Sequence, residues 1–325
     1  MLRISDMLRD IMPDGPLVTI VTPCHNSVAF LATAIESVLS QDYPHIDYLV
    51  MDGGSTDGCL DVLKGYGDRL RYVSAADDGA ADAINQGFHR SQGEILGWLS
   101  ADDSYLPGAV SAVVRTFMET PGADIVCGDA YWCDSSGRAC GAYPTRHPTW
   151  ASLQRDCCIC QPACFFRRSA FETIGGLDVA LKSAYDYDLW IRFSRVHTFA
   201  HLEKDLAVSR MHPASKTLGK RHEVYKEAIQ ILRRHYQYVP FSLIHSHCCY
   251  MVDGRDQFYQ PLDPTLPKYL LSLLLGSWYN RRKMPHFIRE WASVMTMGAL
   301  KRQLRRMATL RELAPEARAG LHSGQ

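Results

Sequence analysis

Short apolar runs alternate with amphipathic stretches over roughly the first 120 residues, and each apolar run ends in a polar turn. That alternation predicts an α/β fold, a mostly parallel sheet with helices on both faces. Leu17 to Val21 is a strand by its β-branched content and ends at Thr22-Pro23. Asn26 or Ser27 can cap a helix whose apolar face is Val28, Leu31, Ile35, Val38 and Leu39. Ile46 to Met51 is a second strand, ending in Asp52-Gly53-Gly54-Ser55-Thr56-Asp57-Gly58. There the glycines permit a tight turn, and Ser55 or Thr56 can cap the next helix. Leu70 to Ser74 leads to Asp77-Asp78-Gly79 and a helix from about Ala80 to Gln86, which Gly87 can stop. Glu94 to Leu99 is the next strand and delivers Ser100-Ala101-Asp102-Asp103. Pro107 suits the first turn of a helix that reaches about Glu119. Ligands of such sheets bind beyond the carboxyl ends of the strands. Three of those ends carry acids: Asp52, Asp77/Asp78 and Asp102/Asp103.

The second half is less regular. Ala123 to Cys127, Ala163 to Arg168 and Leu206 to Arg210 read as strands, and Gly175-Gly176 marks a turn. Asp186 opens a helix with acids in its first turn, where they suit the dipole, and His222 to Tyr236 is an amphipathic helix. From Tyr238 onward prolines punctuate aromatic and basic segments. The expected layout is a lead-in at 1–15, a sheet domain at 16–237 with halves 16–120 and 121–237, and a helical, basic extension at 238–325.

Composition narrows the class. At 46% apolar and 22% charged residues, the chain supports a packed core. Its net charge of zero hides an asymmetry: eleven Lys/Arg against three Glu from Pro264 onward give a tail of about +8 on a body of about −8. An acidic body argues against nucleic acid as a partner, whereas the basic tail suits an anionic membrane leaflet. The N-terminus lacks the apolar core of a signal peptide, and Tyr269 to Asn280, the longest uncharged apolar stretch, is too short to span a bilayer. The expectation is a cytoplasmic protein whose eleven cysteines are thiols. The Cys157-x-x-Cys160 spacing reads as packed sulfur rather than zinc, because no second pair follows.

Phosphate chemistry must come from elsewhere than glycine-rich loops. No such loop with a lysine is present, and no Gly-x-Gly-x-x-Gly follows the first strand. Cys24 and His25 are a neighbouring thiol and imidazole, but adjacent residues at a strand end point apart. Asp102 and Asp103 admit two roles. One can cap the next helix, or the pair can hold Mg²⁺ or Mn²⁺, ions that take one or two protein carboxylates and let phosphates complete the shell. His212 can be a third ligand or a structural imidazole. Asp186 and Asp188 can cap their helix, or Asp186 can present a general base.

Taken in order, these segments resemble a family 2 glycosyltransferase with the GT-A (Rossmann-like) fold. Val18-Thr19-Ile20-Val21-Thr22-Pro23-Cys24-His25-Asn26 is similar to that family's opening strand and Pro-x-x-Asn turn. Asp52 to Gly58 resembles its Asp-(Gly/Asp)-Gly-Ser-x-Asp-Gly turn, and Asp78 to Gly87 the segment before its metal motif. Leu99-Ser100-Ala101-Asp102-Asp103 sits where the family carries Asp-x-Asp or Asn-x-Asp-Asp. Gln161-Pro162 to Arg167, Gly175-Gly176 and Asp186-Tyr187-Asp188-Leu189-Trp190 resemble its acceptor half.

The resemblance implies an inverting transferase that uses a nucleotide-sugar donor, a glycan or lipid-linked acceptor and Mn²⁺ or Mg²⁺. Pro23 and Asn26 would shape the nucleotide pocket and Asp52 would meet the base, with uracil expected. Asp82 would lie near the sugar or ribose, and Thr22, Gly54, Ser100 and Ala101 would line the same donor site. Asp102, Asp103 and His212 would hold the metal, Asp186 would be the base, and Trp190 would pack beneath the acceptor. Two positions depart from the pattern: Ser100 stands at the first acid of Asp-x-Asp, and Tyr185 where a Glu often precedes the catalytic Asp.

Outside the resemblance, the leucines from Leu270 to Leu275, then Trp278 and Tyr279, precede Arg281-Arg282-Lys283. This suits either an interfacial membrane helix or a packed hairpin with a solvated basic face. Two other functions fit parts of the pattern. One is a nucleotide-sugar-binding scaffold subunit with little catalysis. The other is a sugar nucleotidyltransferase, which would carry a glycine-rich loop followed by basic residues after its first strand.

Overall fold

The computed structural model describes residues 15–256, 258 and 265–295. The expected lead-in, Gly15 excepted, and the tail beyond 295 lie outside the described residues. The alternation read from the sequence becomes β1 (Val18–Cys24), α1 (Val28–Leu39), β2 (Ile46–Asp52), α2 (Cys59–Gly65), β3 (Arg71–Ser74), α3 (Ala80–His89), β4 (Ile95–Trp98), β5 (Ser104–Tyr105) and α4 (Ala109–Glu119). The second half adds β6 (Ile125–Cys133), β7 (Ala139–Ala142), α5 (Trp150–Arg155), β8 (Cys164–Arg167), α6 (Arg168–Thr173), α7 (Tyr185–Phe193) and β9 (Phe199–Arg210).

These strands form a nine-stranded sheet in the order β3-β2-β1-β4-β8-β6-β9-β5, with β7 paired to β6. The neighbours β3, β2, β1 and β4 are parallel. Strand β8 runs antiparallel between β4 and β6, and β9 then lies parallel to β6. All of β1 is buried, as a strand covered on both faces must be. Leu31, Ile35 and Val38 of α1 and Val110, Val113, Val114 and Phe117 of α4 pack into one core with Val18, Ile20 and Val50. The expected α/β architecture is therefore present, with mixed pairing in its second half.

Several local expectations are corrected. Neither Asn26 nor Ser27 caps α1 through its side chain. The Asp57 carboxylate does so from the next turn, accepting from the Val28 N–H at 2.8 Å and from the Cys59 N–H at 3.2 Å. Ser55 and Thr56 likewise do not cap α2, which starts from Gly58 in a left-handed conformation. Gly87 does not stop α3. It lies inside the helix, where a Cβ would come within 2.7 Å of Val21, so the missing side chain lets α3 seat on β1.

The chain divides into two compact units, one containing residues up to Leu153 and Cys157–Met211, the other Gln154–Asp156 and the residues from His212 onward. The second unit contains α8 (Lys216–Gly219), α9 (Arg221–Tyr236), α10 (Phe241–Asp253), α11 (Leu266–Tyr279) and α12 (Met284–Met295). Its core includes Ile231, Leu232, Val239, Ile244, Cys248 and Phe287. A buried Arg221–Asp256 ion pair joins α9 to the end of α10.

Strand β4 tolerates no side chain at its centre. A Cβ on Gly97 would sit 2.6 Å from the fully buried Phe165 ring. Gly97→Ala should therefore destabilise the protein by about 1–3 kcal/mol through overpacking. A lowered denaturant midpoint at unchanged slope would show it; an unchanged midpoint would mean that Phe165 yields freely.

Candidate active site

Four strand ends meet along one edge of the sheet, and the polar turns beyond them are tied to one another. After β1, Asn26 adopts a positive φ of 50°. Its N–H donates to Ser55 Oγ, and its Oδ1 accepts from the Thr56 N–H, both at 2.8 Å. Asn26 thus fastens the β1 turn to the β2 turn. Gly54 in that second turn has φ 78°, a conformation that suits glycine. Asp52, 2% exposed, accepts from Ser55 Oγ at 2.5 Å and from Ser74 Oγ at 2.6 Å. One buried carboxylate therefore holds the ends of β2 and β3 together. Asp77 Oδ1 accepts from the Gly79 N–H at 2.8 Å, and the same carboxylate lies against Gly53. Asp82, in the first turn of α3, accepts from Gln86 Nε2 at 2.7 Å and from the Asp78 N–H at 3.2 Å. Thr22 turns its hydroxyl into the core, 3.0 Å from Tyr48 Oη, and Pro23 is buried beside it.

Beyond β4 the chain turns at Ser100–Asp103, closed by a 3.0 Å hydrogen bond from the Asp103 N–H to the Ser100 carbonyl. A four-residue turn separates its adjacent carboxylates. Asp102, at the third position, is half-buried, whereas Asp103 folds back and is buried beside Ala101. Arg210, the last residue of β9, holds the turn. Its N–H donates to Asp103 Oδ1 at 2.8 Å and its Nε to the Asp102 carbonyl at 3.0 Å. Burial, then the neighbouring Asp102 carboxylate, pushes the Asp103 carboxyl well above its ordinary range. Asp103 is thereby occupied in the fold, and Asp102 is the acid that the turn presents.

The opposing acid comes from α7. Trp190 stacks on Trp98 of β4, with ring centroids 5.5 Å apart and planes 12° from parallel. Asp186 lies one helical turn before Trp190 on the same face. It is half-buried, with Oδ1 accepting from the Tyr187 N–H at 2.8 Å. Asp188 points the other way. It is 1% exposed and pairs with Arg192 Nε at 2.6 Å, while Arg192 reaches the Ile174 carbonyl. Burial first, then Asp103, Cys157 and Asp186, raise the Cys160 thiol. The indole stack sets α7, which carries Asp186, against β4, whose following turn carries Asp102 and Asp103.

Two residues that hold this arrangement went unassigned in the sequence. Gln161 Nε2 donates to the Trp98 carbonyl at 2.7 Å and fixes the end of β4. Arg210 was visible in the sequence only as the cation that ends the late strand Leu206–Arg210. His212, two residues further, is buried and opens the second unit. Among the described residues, no three His, Cys, Asp or Glu side chains gather to hold a metal ion. A cation at Asp102 fits only in the form in which phosphates and water supply most of its shell. All eleven cysteines are free thiols, and burial pushes Cys24 far up, which excludes it as a ready nucleophile.

A parallel sheet with its polar turns and opposed acids at the strand ends is the site of an α/β enzyme fold. Residues 19–175 match the model of glycosyl transferase family 2. A PGL/p-HBAD biosynthesis glycosyltransferase of Mycobacterium tuberculosis is 32% identical over 183 residues, covering 55% of this chain and 70% of that protein. An uncharacterized glycosyltransferase of Rickettsia typhi is 30% identical over 216 residues, 62% of this chain and 66% of its own length, just under two thirds. In fold the chain resembles S. aureus TarS 1-349 in complex with UDP, with a TM-score of 0.59 at 14% identity over 94% of this chain and 92% of that one. The mannosyltransferase PcManGT from Pyrobaculum calidifontis, in complex with GDP-Man and Mn²⁺, gives 0.52 at 17% identity over 92% and 81%. The chain belongs to glycosyl transferase family 2.

The two acids of Asp186-Tyr187-Asp188 should separate by stability. Asp188→Ala leaves Arg192 without its buried partner and should cost about 3 kcal/mol, whereas Asp186→Asn should leave the unfolding midpoint unchanged. Equal midpoints for the two variants would contradict the assignment of Asp188 to structure.

Proposed function

We propose that the chain is an inverting glycosyltransferase that moves a sugar from a nucleoside diphosphate sugar to a hydroxyl acceptor. The observation that carries this reading is the Trp98–Trp190 stack, which holds Asp186 on a helix facing the strand whose following turn carries Asp102. The donor half is residues 16–120, with Asn26, Asp52 and Gly54 at the nucleotide and Asp82 toward the ribose or sugar. TarS bound to UDP, at the same fold, supports a uridine donor.

Asp186 accepts the proton of the acceptor hydroxyl as that oxygen attacks the anomeric carbon. The bond from that carbon to the diphosphate oxygen breaks in the same displacement, so the configuration inverts. Asp102 would hold Mn²⁺ or Mg²⁺, whose charge stabilises the departing diphosphate; PcManGT with GDP-Man and Mn²⁺ supports the cation. Ser100 in place of an acid leaves one carboxylate for this task. Asp103 and Arg210 keep the turn in shape, and Trp190 forms the floor beneath the acceptor. The PGL/p-HBAD biosynthesis named for the mycobacterial relative supports the expected glycan or lipid-linked acceptor.

A panel of UDP- and GDP-sugars, assayed with and without Mn²⁺, tests the reading. Transfer should appear with one donor and need the cation. Asp186→Asn should lower turnover by about 10²–10⁴-fold while donor affinity stays the same. Asp102→Ala should remove the Mn²⁺-dependent part of donor affinity in calorimetry. Near wild-type turnover in Asp186→Asn would remove the base, and donor binding without any transfer or hydrolysis would favour a scaffold subunit.

A further inference from the structure

We propose that the outer face of α11, with the basic turn after it, docks on an anionic lipid bilayer. Leu266, Leu270, Leu274 and Trp278 recur at every fourth residue and are 62%, 49%, 70% and 68% exposed. Side chains at that spacing form one stripe along a helix. The other face is already covered: Tyr269, Ser272 and Gly276 are buried. A Cβ on Gly276 would fall 1.9 Å from the Phe287 ring, so α12 packs tightly there and leaves the stripe outward. Met284 and Ile288 of α12 add further exposed apolar side chains. A contiguous apolar stripe of this kind marks an interaction surface.

Charge selects the occupant. Lys268, the cation within α11, is buried and paired with Asp253 at 2.7 Å. At the carboxyl end of the stripe Arg281, Arg282 and Lys283 are exposed, with Arg289 beyond them. Glu290, the acid of residues 265–295, accepts from Tyr238 Oη and the Phe241 N–H instead of meeting those cations. Six further Lys/Arg follow between Lys301 and Arg318. A second copy of the chain would set cation against cation on this face, whereas anionic headgroups would complement it. An apolar face beside cations is the composition of a helix lying in the plane of the interface. At fourteen residues, α11 is about 21 Å long, and among the described residues no helix is long and apolar enough to cross a membrane. The contact is therefore peripheral.

Flotation of the full chain with vesicles of phosphatidylcholine, alone or mixed with phosphatidylglycerol, tests the proposal. The protein should float with the mixed vesicles and be released by salt. Leu274→Ser/Trp278→Ser should weaken that binding at least tenfold. Arg281→Gln/Arg282→Gln should weaken it about twenty-five-fold, at about fivefold per cation, without changing the weaker binding to phosphatidylcholine. Trp278→Phe, a conservative change, should keep binding but lose the blue shift of tryptophan fluorescence on vesicle addition. The proposal fails if the wild-type chain does not float. It also fails if both double variants float equally well, or if light scattering shows a dimer that Trp278→Ser dissociates.

Discussion

The stacked pair Trp98–Trp190 is the contact on which the rest of the site depends. Both indoles are fully buried, and Phe166 meets each of them edge-on while Phe193 lies against Trp190. Aromatic pairs of this kind add about 0.5–1.5 kcal/mol each beyond their buried area. The energetic sum matters less than the geometry it fixes. Trp98 is the last residue of β4, and its carbonyl is held by Gln161. Trp190 lies one turn after Asp186 on α7. The stack therefore sets the strand that presents one acid against the helix that presents the other, from below, with apolar surface only.

The polar layer above that floor is organised by pairing, not by pooling of charge. The acids at the strand ends suggest a concentration of negative charge that a cation must relieve. The structure disposes of most of that charge locally. Asp52 is taken by two serines, Asp77 by the Gly79 N–H, Asp82 by Gln86, and Asp103 by the Arg210 N–H. Each of these carboxylates joins two pieces of chain that are distant or would otherwise be loose. Asp102, half-buried in the turn after β4, is the acid proposed to meet a phosphate-bound cation. With Ser100 standing where an acid is expected, that proposed cation would rely on one carboxylate and on the ligand's own oxygens.

The parallel half was legible because β1, β2 and β4 are short apolar runs that are buried over most of their length, whereas β3 is largely exposed and was read from its neighbours in the alternation. The apolar runs announce themselves without reference to their partners. The second half was only partly legible. Strand β6 runs to Cys133, well past the expected end at Cys127, because its later residues pair with β9 and β7 and are half-buried. Strand β9 likewise starts at Phe199 rather than Leu206, in a stretch that carries His201, Glu203, Lys204 and Asp205 and so lacks an apolar signature. Capping failed for a related reason. Asn26 and Ser55 have the side chains of local caps, but each bonds backbone in the other turn, Ser55 Oγ the Asn26 N–H and Asn26 Oδ1 the Thr56 N–H, and Asp57 caps α1 from about thirty residues away in sequence. Residue type predicted the kind of hydrogen bond; only the topology supplied the partner.

Asp186-Tyr187-Asp188 shows how little sequence separates a buried, paired acid from a half-buried one. Two positions along a helix is a rotation of about 200°, so the two carboxylates cannot share an environment. Trp190 fixes which face of α7 meets β4, and that choice buries Asp188 while leaving Asp186, the proposed base, half-buried. Asp188 is then tolerable only because Arg192, one turn on, pairs with it and anchors to the Ile174 carbonyl. That same pair ties α7 to the end of α6. The buried acid thus limits how far α7 can rotate, and the exposure of Asp186 follows from the burial of Asp188.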